Sequence, residues 1–216
     1  SLFASAPMAQ QLARRLISLD YPLAPHTDFR TVVLETSAAI AAICAQSERV
    51  ALIGDSAGGG LALAATRHAR AAGASPCALA LISPWTDLTD SGPTHRTHAA
   101  RDKLLAYEPG LRISAAAYAG EALTHGDASP LFANFDETFP PALILCGSEE
   151  ILLSDATRMQ AALARSGAEL AVFDGLFHSF PTIAPHAPES QRALKRIREF
   201  LDGSFHQTRA ASNATD

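Results

Sequence analysis

Cysteine is scarce in this chain: three in 216 residues (Cys44, Cys77, Cys146), none in a C-x-x-C pair. That excludes a disulfide framework and a cysteine-built metal site, and leaves the three as small residues in apolar surroundings. A long apolar run is missing too, so no membrane span is expected. There is no surplus of basic residues. The net charge of −5 gives no reason to expect nucleic acid or an anionic membrane as partner. Repeats and low-complexity tracts are likewise missing. What remains, 48% hydrophobic and 18% charged, is the make-up of an ordinary globular chain long enough for one domain with a sizeable core. The expected location is the cytoplasm, although a chain that begins at Ser1 rather than Met says nothing of export.

Short apolar runs alternate with amphipathic stretches, the pattern of a mostly parallel sheet flanked by helices. Strands are expected over 16–20, 50–53, 77–82, 142–146 and 169–173, with helices over 7–15, 31–45, 61–70, 154–165 and 189–201. From His95 to about Leu123 the alternation gives way to polar and helical sequence without a strand. That reads as an insertion of the kind that often forms a lid. A single α/β domain is therefore expected over 1–202, and 203–216 reads as a polar, frayed tail.

The most informative stretch is Gly54-Asp55-Ser56-Ala57-Gly58-Gly59-Gly60, directly after the apolar Val50-Ala51-Leu52-Ile53. Strand, sharp turn and helix with a serine at the apex describe an exposed, strained nucleophile. Such a turn brings the residues two before and two after the serine together, so Gly54 and Gly58 are expected to be needed there.

A serine hydroxyl attacks only when a base takes its proton and an acid orients that base. In sheet-based hydrolases these partners follow the serine in the order acid, then histidine, each on a loop after a strand. Two acids, Glu149 and Glu150, follow the run 142–146, and His178 follows 169–173. The other histidines (His26, His68, His95, His98, His125, His186, His206) stand on helices, loops, the insertion or the tail. His95 and His98 make an H-x-x-H pair with no evident third ligand, so no metal and no cofactor is expected.

At this point the residues match a family. The chain resembles the hormone-sensitive-lipase-like esterases and lipases of the α/β-hydrolase fold. Gly54 to Gly59 matches G-D-S-A-G-G, and Asp20-Tyr21-Pro22-Leu23-Ala24-Pro25 is similar to D-Y-R-L-A-P. Ser83-Pro84-Trp85-Thr86-Asp87-Leu88, Ala128-Ser129-Pro130-Leu131, Pro140-Pro141, residues 147–155 and residues 175–180 match further segments. The resemblance implies Ser56 as nucleophile, His178 as base and Glu150 as acid, with Glu149 the runner-up. It implies the Ala57 N–H as one oxyanion donor, in an elbow formed by Gly54, Asp55, Gly58 and Gly59. Asp155 is expected to cap the helix that follows it.

Two departures stand out. Pro22 and His26 replace an arginine and an acid of the family pattern. No His-Gly-Gly-Gly run occurs anywhere in the chain, and that loop supplies further oxyanion N–H groups in the family. The expectation is an N-terminally incomplete enzyme. A strand missing between 16–20 and 50–53 would leave unpaired backbone groups, at about 1 kcal/mol or more each. The implied function is a serine carboxylesterase acting on short- to medium-chain esters, with a small-molecule ester as partner and a homodimer left open. The alternatives are a ligand-binding protein on the same scaffold, as in the plant gibberellin receptors, or an inactive piece lacking its oxyanion loop. Retention of His178 argues for the enzyme.

Overall fold

Two runs of apolar residues, Ala78–Ile82 (β2) and Ala142–Gly147 (β3), are buried at every position. Parallel strands covered on both faces require this composition. The computed structural model describes residues 2–213, with side chains from 5 to 206. In it the two strands form the centre of an all-parallel sheet of order β1-β2-β3-β4, with Ala51–Asp55 (β1) and Glu169–Phe173 (β4) at its edges. The register sets Asp55 beside Ile82, Ile82 beside Leu145, and Gly147 beside Phe173. All four C-terminal ends therefore lie at one end of the sheet, and the loops after them meet there.

The two-residue period of a strand sorts the core into two layers. Ala78, Ala80, Ile82, Leu143 and Leu145 face helices Leu2–Leu12 (α1) and Pro188–Asn213 (α8), meeting Met8, Leu12, Leu194, Ile197 and Leu201. Leu79, Leu81 and Ile144 face the opposite way, onto helices Ala57–Ala71 (α3) and Leu153–Ala162 (α6). Helix Phe29–Cys44 (α2) packs outside α3 through Val32, Val33 and Ile40. Its start is fixed by Asp28, whose carboxylate accepts the Thr31 N–H at 2.9 Å. The stretch expected as an insertion contains Thr94–Thr97 (α4) and Arg112–Ala119 (α5) and no strand. It packs Ala115 and Ala119 with Phe29, Trp85, Leu88, Ile151 and Leu152. A short helix, Phe180–Ile183 (α7), precedes α8. No helix among the described residues is long and apolar enough to cross a membrane.

Two expectations fail. Residues 16–20 are not a strand. A ladder needs a neighbour at about 4.8 Å, whereas a groove of about 600 Å³, lined by Leu16, Leu19, Leu52 and Ile53 among others, lies where that segment faces β1. Residues 203–213 are not a frayed tail either, since α8 continues to Asn213, and residues 214–216 lie outside the described residues. The apolar stripe Leu194, Ile197, Leu201 continues at the next turn with buried Phe205, which lies 4.7 Å beneath the Arg14 guanidinium.

Candidate active site

β1 ends at Asp55 and α3 begins at Ala57, so Ser56 alone makes the turn between them, at φ 55° and ψ −123°. This is a sparsely populated conformation for a residue with a Cβ. The backbone around it is tied on three sides. Ser56 N donates to Ile82 O (2.9 Å), while Ser56 O accepts from Gly59 N (2.9 Å) and Trp85 N (3.0 Å). At the head of α3 the Ala57 N–H has no acceptor within its own helix and lies at the positive end of the helix dipole.

A Cβ on Gly54 would sit 2.5 Å from the Gly58 carbonyl oxygen and 2.7 Å from Gly59 Cα, so the turn needs glycine there. Gly58 is different from the expectation. Its own Cβ would meet nothing nearer than the Tyr21 hydroxyl at 3.9 Å, because the close approach runs through its carbonyl. The crowded partners are instead Gly59, against Pro84, and Gly60, against the Trp85 carbonyl.

His178 reaches Ser56 from the loop after β4. Its Nε2 stands 2.9 Å from Ser56 Oγ, and its Nδ1 stands 3.1 Å from Glu150 Oε2. A carboxylate only accepts, so in the neutral ring Nδ1 carries the proton and Nε2 turns its lone pair to the serine hydroxyl. Glu150 is fully buried, and its other oxygen accepts from Ser83 Oγ (2.7 Å) and from Gly147 N. Glu149 faces away. Its carboxylate meets Ser148 Oγ at 3.3 Å and Arg101 at 3.8 Å. Asp55 accepts hydroxyl bonds from Ser179 and Thr182. Burial nevertheless holds its carboxyl above the usual range. Ser56, His178 and Glu150, expected from the sequence, are brought together here, whereas the Ser83 partner of Glu150 was not foreseen. The signal for Ser83 was its place just past the end of β2, where the loops converge.

Asp155 does not cap α6. It sits inside the first turn, and its Oδ2 accepts the backbone N–H groups of Thr86 and Asp87, both at 2.9 Å. Those donors belong to the loop after β2, so the carboxylate staples that loop to α6. Its Oδ1 meets His95 Nε2 at 3.0 Å. His95 is buried, 3.3 Å from Asp90 and stacked on Tyr107. His98 is half-buried, with its Nδ1 2.9 Å from Thr97 Oγ1, so the H-x-x-H pair does not converge. Among the described residues no group of three or more His, Cys, Asp or Glu is arranged to hold a metal ion.

Burial pulls the His95 imidazole down, but the Asp155 hydrogen bond and the charges of Asp155, Asp90 and Asp87 outweigh it, and the net direction is up from 6.5. Burial also pushes the Asp155 carboxyl up. In both cases the folded state favours the proton. The His95 contribution, which needs an ionised Asp155, is in place below about pH 6.5 and is lost as pH rises through the elevated His95 value. The melting temperature is expected to fall between pH 6 and pH 8 by about 3 °C more in the native chain than in His95→Phe, about 1 kcal/mol in a chain of this size. Parallel melting curves for the two proteins would contradict it.

Residues 4–182 match the model of a family described as having the alpha/beta hydrolase fold. The chain is 35% identical to the acetyl-hydrolase of Streptomyces hygroscopicus over 204 residues, 91% of this chain and 68% of that one. Among solved structures it is similar to an esterase from the bacterial hormone-sensitive lipase family, at 37% identity and TM-score 0.85, covering 92% of this chain and 68% of that one. It is also similar to a hormone-sensitive lipase from a metagenome library, at 31% identity and TM-score 0.88, covering 94% and 72%. The fold, with a serine turn and a histidine meeting at the strand ends, is that of the α/β hydrolases. Within that class the chain belongs to the hormone-sensitive-lipase-like esterase family.

Proposed function

We propose that the chain is the catalytic part of a serine carboxylesterase for short- to medium-chain esters, with Ser56 as nucleophile, His178 as base and Glu150 as acid. The observation that carries this reading is the 2.9 Å approach of His178 Nε2 to Ser56 Oγ, with Glu150 on the other ring nitrogen. Ser56 Oγ attacks the ester carbonyl carbon while His178 takes its proton, and Glu150 balances the imidazolium charge. The Ala57 N–H, at the head of α3, donates to the oxyanion. Collapse breaks the bond to the alcohol oxygen, which receives the proton from His178 and leaves Ser56 acylated. Water then attacks the acyl carbon, giving its proton to His178, and the acid departs as Ser56 recovers its hydrogen.

The segment from His95 to about Leu123 is read as the lid that forms part of the acyl pocket. Its exposed Ile113 and Leu104 offer apolar surface for an acyl chain. Preference for modest chains is supported by the acetyl-hydrolase name of one relative. Each oxyanion N–H is worth about 10²–10³ in turnover. With only the Ala57 group assigned, turnover is expected to be slow, and specificity is best read as ratios. Across p-nitrophenyl esters from acetate to palmitate, kcat/KM is expected to peak at or below octanoate and to be at least about tenfold lower at palmitate. A maximum at palmitate would overturn the chain-length reading.

A further inference from the structure

Ser83, at the end of β2, has φ 46° and no exposed surface. At such a backbone angle glycine is the residue without cost, and a merely space-filling position in an apolar core would take alanine. What serine adds is one oxygen. Its single proton goes to Glu150 Oε1 at 2.7 Å, and its lone pair accepts the Ser179 N–H at 3.0 Å. The Ser83 N–H is itself pinned to Leu145 O at 2.7 Å. One hydroxyl held by the sheet therefore joins the acid to the backbone of the residue that follows the base.

Ser179 is also at positive φ, 53°, and its own hydroxyl reaches Asp55 beside the nucleophile. Three serines in unfavourable backbone conformations, Ser56, Ser83 and Ser179, thus bracket the site, as strain kept at working positions does.

We propose that Ser83 is a positioning residue for the hydrolytic step, its hydroxyl fixing the rotation of the Glu150 carboxylate and the seat of His178 together. The proposal rests on the reading of Ser56, His178 and Glu150 above. Glu150 Oε2 points to His178 while Oε1 is shared by Ser83 Oγ and Gly147 N. Without the hydroxyl, Oε1 keeps only the Gly147 N–H, and the carboxylate is free to turn about that bond. The Ser179 N–H loses its acceptor in the same change, which loosens the His178 loop. Both effects misplace the imidazole relative to Ser56 Oγ, and small misplacements cost large factors in rate.

The test compares Ser83→Gly, Ser83→Ala and Ser83→Cys in the full chain, using an alkyl fluorophosphonate. This probe forms a bond from Ser56 Oγ to phosphorus and expels fluoride, with the serine proton passing to His178. Glycine removes the backbone cost at φ 46°, alanine keeps it, and cysteine preserves volume with a poor donor. All three variants are expected to lose about tenfold or more in maximal labelling rate. Their half-saturating probe concentration should stay within about twofold, since no probe contact is removed. The glycine and alanine losses should be equal even though the glycine variant melts higher. Rates that follow the melting temperature, with glycine near the native rate, would show a merely structural residue and overturn the proposal. So would native rates in all three. Ser56→Ala run alongside separates the two readings: labelling that survives it sinks the nucleophile assignment. A silent Ser56→Ala beside an unaffected Ser83→Gly removes the Ser83 proposal alone.

Discussion

Ser56→Ala is expected to lower ester hydrolysis by about 10⁴-fold or more, leaving only the small residual rate that binding and the Ala57 N–H give over water, while the protein stays folded. The loss follows from geometry. The Ser56 hydroxyl is 2.9 Å from His178 Nε2, and alanine removes that oxygen from the base. Stability is expected to change little, because alanine and serine meet the same backbone cost at φ 55° and the ties of the turn run through Ser56 N and O, not its side chain. Rate and melting temperature measured on one preparation separate lost chemistry from lost fold. Hydrolysis that persists in Ser56→Ala would remove Ser56 from the mechanism.

Gly147→Ala carries the largest expected effect on stability. An added Cβ would lie 2.1 Å from the Leu176 carbonyl oxygen, 2.4 Å from its carbon and 3.0 Å from Phe177 N. These are backbone atoms and cannot rotate away. Leu176 O is also held, accepting the Glu149 N–H at 3.1 Å. The methyl group would therefore wedge the end of β3 away from the loop that carries His178. Overpacking of this kind costs about 3 kcal/mol, or roughly 10 °C in melting temperature for a chain of this length. The same displacement would draw His178 from Glu150, whose Oε1 is bonded to Gly147 N. Stability and fluorophosphonate labelling should fall together. Gly58→Ala, whose Cβ would meet only the Tyr21 hydroxyl at 3.9 Å, is the mild comparison. A Gly147→Ala protein that melts within 2 °C of the native chain and labels normally would contradict the packing described here.

Much of this could be read from the chain because local patterns and global fold agree where the sheet is buried. The runs at 77–82 and 142–146 are apolar throughout, so their strands and their place at the sheet centre follow from composition. The order serine, acid, histidine, each past a strand, singled out Ser56, His178 and the pair Glu149 and Glu150, the family resemblance favoured Glu150, and the structure brings Ser56, His178 and Glu150 together. Where sequence reasoning failed, the deciding term was non-local. Residues 16–20 have strand-like composition, but a strand exists only with a neighbour, and β1 stands across a groove. Gly203 and the polar residues after it suggested an end, yet Phe205, one turn past Leu201, keeps the helix on the core. Asp155 has the residue type of a cap, but Thr86 and Asp87, nearly seventy positions earlier in the chain, bring the donors it takes. Ser83 and Ser179 were visible as letters, but their hydroxyl bonds to Glu150 and Asp55 depend on three loops meeting.

The central claim is that Ser56 is a nucleophile activated by His178. It is tested most directly by reacting the chain with a fluorophosphonate and mapping the modified peptide by mass spectrometry. The account predicts a single adduct on the peptide containing Ser56 and its loss in a folded His178→Ala protein. An adduct on another serine, or undiminished labelling of Ser56 without His178, would contradict it.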